Sequence, residues 1–128
     1  MQDKQCREIK FKAYDKEKNC MVSIEAANFI DMAIRFDGTV WCHDSYFKIH
    51  SDNFVLVQYT GLKNKNNEEL YHYDITQNKN GIIRYIDEYC GAWWLMFPDG
   101  SNDKPLYGSH LMQEIIGNKF KNPELLGE

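Results

Sequence analysis

The sequence predicts a mainly β fold with little helix: a small antiparallel barrel or roll in the C-terminal half, preceded by β-hairpins forming an N-terminal layer. Three observations predict it. Short runs that alternate with period two, or are apolar on both alternations, recur along the chain. Polar breaks rich in Asn, Asp and Gly separate them at close spacing. Aromatic residues make up 14% of the 128 residues, enough large side chains to fill a small core.

In chain order, residues 1–6 are a loose start. From Arg7, the residues Ile9, Phe11 and Ala13 alternate with Glu8, Lys10 and Lys12, the pattern of a half-buried strand. Residues 15–19 are a charged turn, and 20–23 return as an antiparallel partner. Residues 23–33 read as a loop or a single helical turn. Ser23 is a capping residue, but Asn28 and β-branched Ile24 and Ile30 disfavour helix. Asp37-Gly38, between apolar runs at 34–36 and 39–42, is a two-residue hairpin turn that uses the positive φ of glycine. Residues 45–53 connect onward, with a short strand at 46–49.

Residues 54–60 are apolar on both alternations, so this strand is expected to be central, with Val55, Leu56 and Val57 all buried. Gly61 ends or bends it. Residues 63–69 form a polar turn, 70–76 the next strand, and 77–81 a turn carrying Asn80-Gly81. Residues 82–86 pair with 92–97 across 87–91. The segment 98–108 holds two prolines and Asp99-Gly100-Ser101, and reads as irregular. Residues 111–117 are the last strand, and 122–126 a terminal turn that returns two leucines to the body.

Composition narrows the function. With 43% apolar and 27% charged residues the chain is globular rather than disordered. Its net charge is −4, and its lysines are interleaved with Asp15, Glu17, Glu68 and Glu69, which reads as solvated turns and not as a phosphate track. The four cysteines, Cys6, Cys20, Cys42 and Cys90, form no C-x-x-C pair. A polar start and the lack of a long apolar run predict a cytoplasmic protein with reduced thiols and no membrane span.

Candidate chemistry is sparse. Cys42, His43 and His50 are metal-ligand types, but strand neighbours point to opposite faces, so Cys42 and His43 do not share one ion easily. Cys90 and His110 are a nucleophile and a base with no third orienting group, and Cys90 reads as a surface thiol in a hairpin loop. The acid pairs Asp87-Glu88 and Asp99 with Asp103 read as solvated turn residues, and Asp74 as a hydrogen-bond acceptor for turn amides. No phosphate-loop, nucleophile-elbow or dinucleotide fingerprint is present.

Three ordered motifs carry a family resemblance. Residues 7–15, REIKFKAYD, resemble the opening REIKFRAWD of the YopX-like family of phage and prophage proteins. Residues 57–65, VQYTGLKNK, look like its MQYTGLKDK, and 114–118 with 122–126, EIIGN and NPELL, resemble its EVIGN and NPELL. The resemblance implies a small protein encoded by a phage or mobile element and acting in the cytoplasm of a bacterial host. It also implies an SH3-like β-barrel over residues 54–128, preceded by a β-hairpin region over 1–53, the two packed as one compact unit. It implies no activity. One departure is local: Tyr71-His72-Tyr73-Asp74-Ile75 replaces the family's Tyr-Glu-Gly-Asp-Ile, which predicts an ordinary backbone at Tyr73 with its side chain packing outward.

The expected function is therefore a non-enzymatic protein-binding module without cofactor, catalytic residue or metal ligand. Its expected partner is a host or phage protein or a second copy of the chain. The alternative is a barrel that binds single-stranded nucleic acid by stacking bases on aromatics, which the acidic charge opposes. Trp93 shares its parity with Leu95 and Phe97 and is assigned to the core. Trp94 and Met96, on the other face, and Tyr73 are the candidate partner surface. Trp94 is either covered by the N-terminal layer or part of an exposed patch.

Overall fold

The computed structural model describes residues 10–23, 32–34, 40–43, 49–50 and 54–128. The chain divides into two units, Phe11–Gln58 and a second that runs from Tyr59 to Glu128 and includes Lys10. Among the described residues, helix is limited to two short 3-10 turns.

In the first unit, β1 (Phe11–Asp15) pairs antiparallel with β2 (Cys20–Ser23). The predicted charged turn joins them. The Asp15 carboxylate accepts from the backbone amides of Glu17 and Lys18 at 3.0 and 3.1 Å, and Asn19 takes a positive φ of 52°. β3 (Met32–Ile34), β4 (Val40–His43) and β5 (Ile49–His50) form an antiparallel sheet whose register puts Ile34 opposite Val40 and Cys42 opposite His50. The Asp37-Gly38 turn, the first residues of β1's predicted pattern, residues 24–31 of the helix-or-loop segment and Tyr46 lie outside the described residues; Met32 and Ala33, read as the end of that segment, are strand. The long strand β6 (Phe54–Lys63) starts here, pairing Phe54–Gln58 with β1. Of its three expected core residues only Val57 is fully buried, at 1% exposure; Val55 and Leu56 are half-buried.

The second half of β6 belongs to the other unit and pairs with β7 (Glu69–Tyr71). Gly61 bends the strand and does not end it. At φ 88° it lies where the register slips between the Tyr59–Tyr71 and Lys63–Glu69 pairs. The expected single strand over 70–76 is two strands. The chain reverses at His72-Tyr73 before β8 (Asp74–Gln77). β8, β9 (Ile83–Tyr89), β10 (Ala92–Met96), β11 (Asn102–Pro105) and β12 (Glu114–Asn118) form one antiparallel sheet in the order β11-β10-β9-β8-β12. The β9–β10 hairpin closes through Cys90-Gly91, both at positive φ (52° and 80°), the backbone of a type I′ turn.

This sheet is apolar on both faces, and each face has its own core. Ile86 and Leu95 join Leu70 and Leu106 in one cluster. Their strand neighbours Tyr85 and Met96 turn the other way and join Ile75 and Leu126. The adjacent tryptophans divide likewise, Trp93 packing on the first cluster and Trp94 on the second. The predicted terminal turn exists as a 3-10 turn over Pro123–Leu126, which delivers Leu125 and Leu126 to the second cluster.

Two corrections concern irregular segments. Residues 98–108 are not wholly irregular, since β11 lies within them, entered by a turn in which Ser101 donates to the Asp99 carboxylate. The last strand begins at Glu114 and not at Leu111, because His110–Met112 forms a 3-10 turn. Buried Gln113 separates the two, accepting from the Thr76 hydroxyl at 2.9 Å and, through its carbonyl, from the Asn64 amide at 3.0 Å.

Candidate functional site

Three loops of the Tyr59–Glu128 unit converge on one cleft. The β6 bend contributes Thr60, Gly61 and Leu62, and the β9–β10 turn contributes Gly91, Ala92 and Trp93. The end of β11 adds Pro105 and, just beyond it, Tyr107, which is 77% exposed. The cleft encloses about 430 Å³, within the roughly 300–1,000 Å³ range of ligand-sized pockets.

Each wall is fixed locally. The Thr60 hydroxyl donates to the Leu70 carbonyl at 2.8 Å and accepts from the Leu62 amide at 3.2 Å, bracing the bend from inside. The Leu106 amide donates to the Trp93 carbonyl at 3.0 Å, and buried Leu106 anchors the segment that holds up Tyr107. The Tyr107 ring stacks on His110, with centroids 5.7 Å apart, while His110 Nδ1 accepts from the Gly108 amide at 3.2 Å. Trp93 meets His72 edge-on at 5.2 Å, and His72 Nε2 lies 2.8 Å from Asp87 Oδ1.

The sequence-predicted surface residues are not gathered at this cleft. Met96 is 7% exposed and belongs to the second cluster, so it offers no exposed patch. Trp94 is half-buried on that cluster, with Tyr89 packed edge-on at 5.7 Å. The terminal leucines join the same cluster from positions too distant in sequence for strand parity to reveal.

Tyr73 corrects the expectation of an ordinary backbone and an outward ring, for its φ is 73°. The turn is pinned by its own amide, which donates to the Ile86 carbonyl at 2.8 Å, and by the Asp74 carboxylate, which accepts from the Tyr71 amide at 2.8 Å. The ring is sandwiched, stacked on His72 at 3.6 Å with Phe120 edge-on at 5.0 Å. Through His72 it lines up with Trp93 instead of Trp94. Burial, and then the nearby Asp87 charge, hold the Tyr73 phenol above its ordinary pKa, as they do that of Tyr85.

The candidate catalytic groups do not converge. Cys90 is exposed with no hydrogen-bond partner among the described residues, and His110 is engaged by Gly108 and Tyr107. Asp87 faces His72, Asp99 faces Ser101 and Asp103 faces Arg84. Among the described residues no cluster of three His, Cys, Asp or Glu is placed to hold a metal ion, and no helix is long and apolar enough to cross a membrane. The sequence reading names none of the cleft residues as a partner surface and assigns Trp93 to the core; Pro105 and Tyr107 are the two that carry a signal of their own. Their signal was Pro-Leu-Tyr-Gly, an apolar island among the turn formers of 98–108.

A family model described as YopX protein matches residues 10–127, nearly the whole chain. The chain belongs to the YopX family. Two solved structures share the YopX fold with it. Protein EF1440 from Enterococcus faecalis is 23% identical with a TM-score of 0.60, the match covering 94% of this chain and 99% of that one. Protein yopX from Bacillus subtilis is 16% identical, also at 0.60, covering 91% and 95%. No curated protein matches this YopX-family chain.

Proposed function

We propose that this YopX-family chain is a non-enzymatic protein-binding module of a phage or mobile element, acting in the bacterial cytoplasm on a host or phage protein. The strands of residues 54–128 are read as an SH3-like barrel with its binding cleft at the loop rim. The observation that carries this reading is the cleft itself: Trp93, Leu62 and Pro105 form an apolar floor, and exposed Tyr107 stands beside it. Aromatic residues at such rims are the usual anchors for a partner segment. Immobilised protein is expected to capture one reproducible partner from host lysate, and Tyr107→Ala, which removes an exposed ring and little of the core, is expected to abolish capture. A Tyr107→Ala protein that captures as well as the original would refute the assignment of the cleft.

A second reading, single-stranded nucleic-acid binding, is favoured by one feature, exposed Tyr107 stacked on half-buried His110, on which a base would find an aromatic platform. The net charge of −4 opposes it. Fluorescence anisotropy with labelled oligonucleotides separates the two, since the protein-binding reading expects no association at moderate salt.

A further inference from the structure

A second, smaller cavity of about 190 Å³ lies away from the aromatic cleft, and its walls are cationic. Arg84 of β9, Lys104 of β11 and Lys79 of the β8–β9 turn line it, with Ser109 and Gln113 closing one side. Strand register explains why the first two meet. Lys104 is opposite Leu95, Leu95 is opposite Ile86, and Arg84 is two residues from Ile86. All therefore share one face of the sheet. Among the described residues no acid lines the cavity.

Arg84 is the unusual member. It is 2% exposed, and among the described residues its one ion pair is with Asp103, through Nη1. Its Nε is buried with no hydrogen-bond partner among the described residues. A buried guanidinium normally has its donors satisfied, because an unmade hydrogen bond to a charged group costs more than one to a neutral group. Asp103 neutralises one of the three cations. The Lys79 and Lys104 ammonium groups have no ion-pair partner among the described residues.

The geometry points to a binding site for a single phosphate group in this cavity, held by Arg84, Lys79 and Lys104. A phosphate offers several acceptor oxygens to a planar guanidinium fork and to two ammonium point charges at once. The volume fixes the scale. It is below the roughly 300–1,000 Å³ that encloses a whole small molecule, so the cavity takes one anionic group and not an entire nucleotide. That group arrives either as the free ion or on a larger ligand whose remainder stays outside. This site is separate from the proposed protein-binding cleft and stands or falls without it.

The test is a titration of the full-length 15N-labelled chain with inorganic phosphate, against sodium chloride at matched ionic strength. Saturable shifts of the Arg84 Nε–H and Ser109 amide signals are expected with phosphate alone. Lys79→Gln/Lys104→Gln changes two exposed side chains and leaves the Arg84–Asp103 pair in place; it is expected to weaken binding about tenfold or more. Arg84→Lys, which keeps a charge facing Asp103 but loses the fork, is expected to weaken it likewise. Phenyl phosphate identifies the source: binding at least as tight as the free ion means the group comes on a larger ligand, and binding of inorganic phosphate alone means the free ion. Shifts that chloride reproduces, or saturable phosphate binding unchanged in the double lysine variant, would overturn the proposal.

Discussion

Tyr73 occupies a backbone conformation that glycine adopts without steric cost and that costs an ordinary L-residue about 1–2 kcal/mol. The ring contacts with His72 and Phe120, and Lys119 Nζ 5.7 Å above its face, offset that cost. Truncation should therefore reverse the usual order of small residues. Tyr73→Ala loses the ring and keeps the strain, while Tyr73→Gly loses the ring and the strain together. Tyr73→Gly is expected to be the more stable of the two by about 1 kcal/mol in urea unfolding. The opposite order would mean that the positive φ is not retained. A second residue-scale expectation concerns Glu69. Its hydrogen bond from the Lys10 ammonium holds its carboxyl below the usual glutamate range, outweighing burial, which acts the other way. A depressed folded-state pKa contributes stability that is complete above the unfolded value and disappears as pH falls through the folded one. Glu69→Gln should cost about 1 kcal/mol or less at neutral pH, since the pair is partly solvated. It should cost nothing well below the carboxylate range. Thermal melts of both proteins across that interval decide it.

At the scale of elements, the end of β12 depends on one glycine. A Cβ on Gly117 would sit 2.4 Å from the Asn122 side-chain oxygen and 2.8 Å from its Cγ. That oxygen accepts from the Asn118 amide, and the Asn118 carboxamide in turn accepts from the amides of Phe120 and Lys121 at 3.0 and 2.8 Å. Gly117→Ala must push Asn122 aside and loosen this turn, at an expected cost of about 1–3 kcal/mol in chemical denaturation. A neutral effect would mean that the turn yields freely. The same region marks what the sequence made legible. Alternation and turn residues placed β1, β2, β6, β9 and β10, because periodicity and local φ preference decide those elements within a few residues. The break between β7 and β8 stayed hidden, because tyrosine at a glycine position gives no turn signal and the Ile86 carbonyl that holds the turn is distant in sequence. β11 was hidden for a related reason: its residues Asn102, Asp103, Lys104 and Pro105 have no β propensity, and pairing with β10 makes them a strand. The cleft itself was not legible: parity placed Trp93 on the Leu95 face, but its part in the rim and the position of Tyr107 depend on tertiary contacts such as the anchor at Leu106.

At the scale of the molecule, β6 is the strand on which most depends. Phe54–Gln58 exchange ladder hydrogen bonds with β1, and the strand continues through Gly61 to pair with β7. A fragment starting at Phe54 keeps the five-stranded sheet but leaves the first half of β6 as a bare, apolar strand with an unpaired backbone. It is expected to aggregate, as light scattering would detect. A monomeric fragment with a cooperative melt would instead establish residues 54–128 as an independently folding domain, the boundary the sequence predicts. The delivery of Leu126 to the core of Ile75, Tyr85 and Met96 has a consequence for synthesis. Every strand of the sheet is translated before Pro123–Leu126, so during elongation the second face stays open, with Met96 and Trp94 uncovered on their outer side. A chain that has emerged through β12 but lacks Pro123–Leu126 thus carries every strand of the sheet with an apolar face accessible to trigger-type chaperones and proteases. A released chain that ends at Asn118, with every strand of the sheet but without the terminal leucines, should be digested rapidly, and the chain that includes Leu125 and Leu126 should resist.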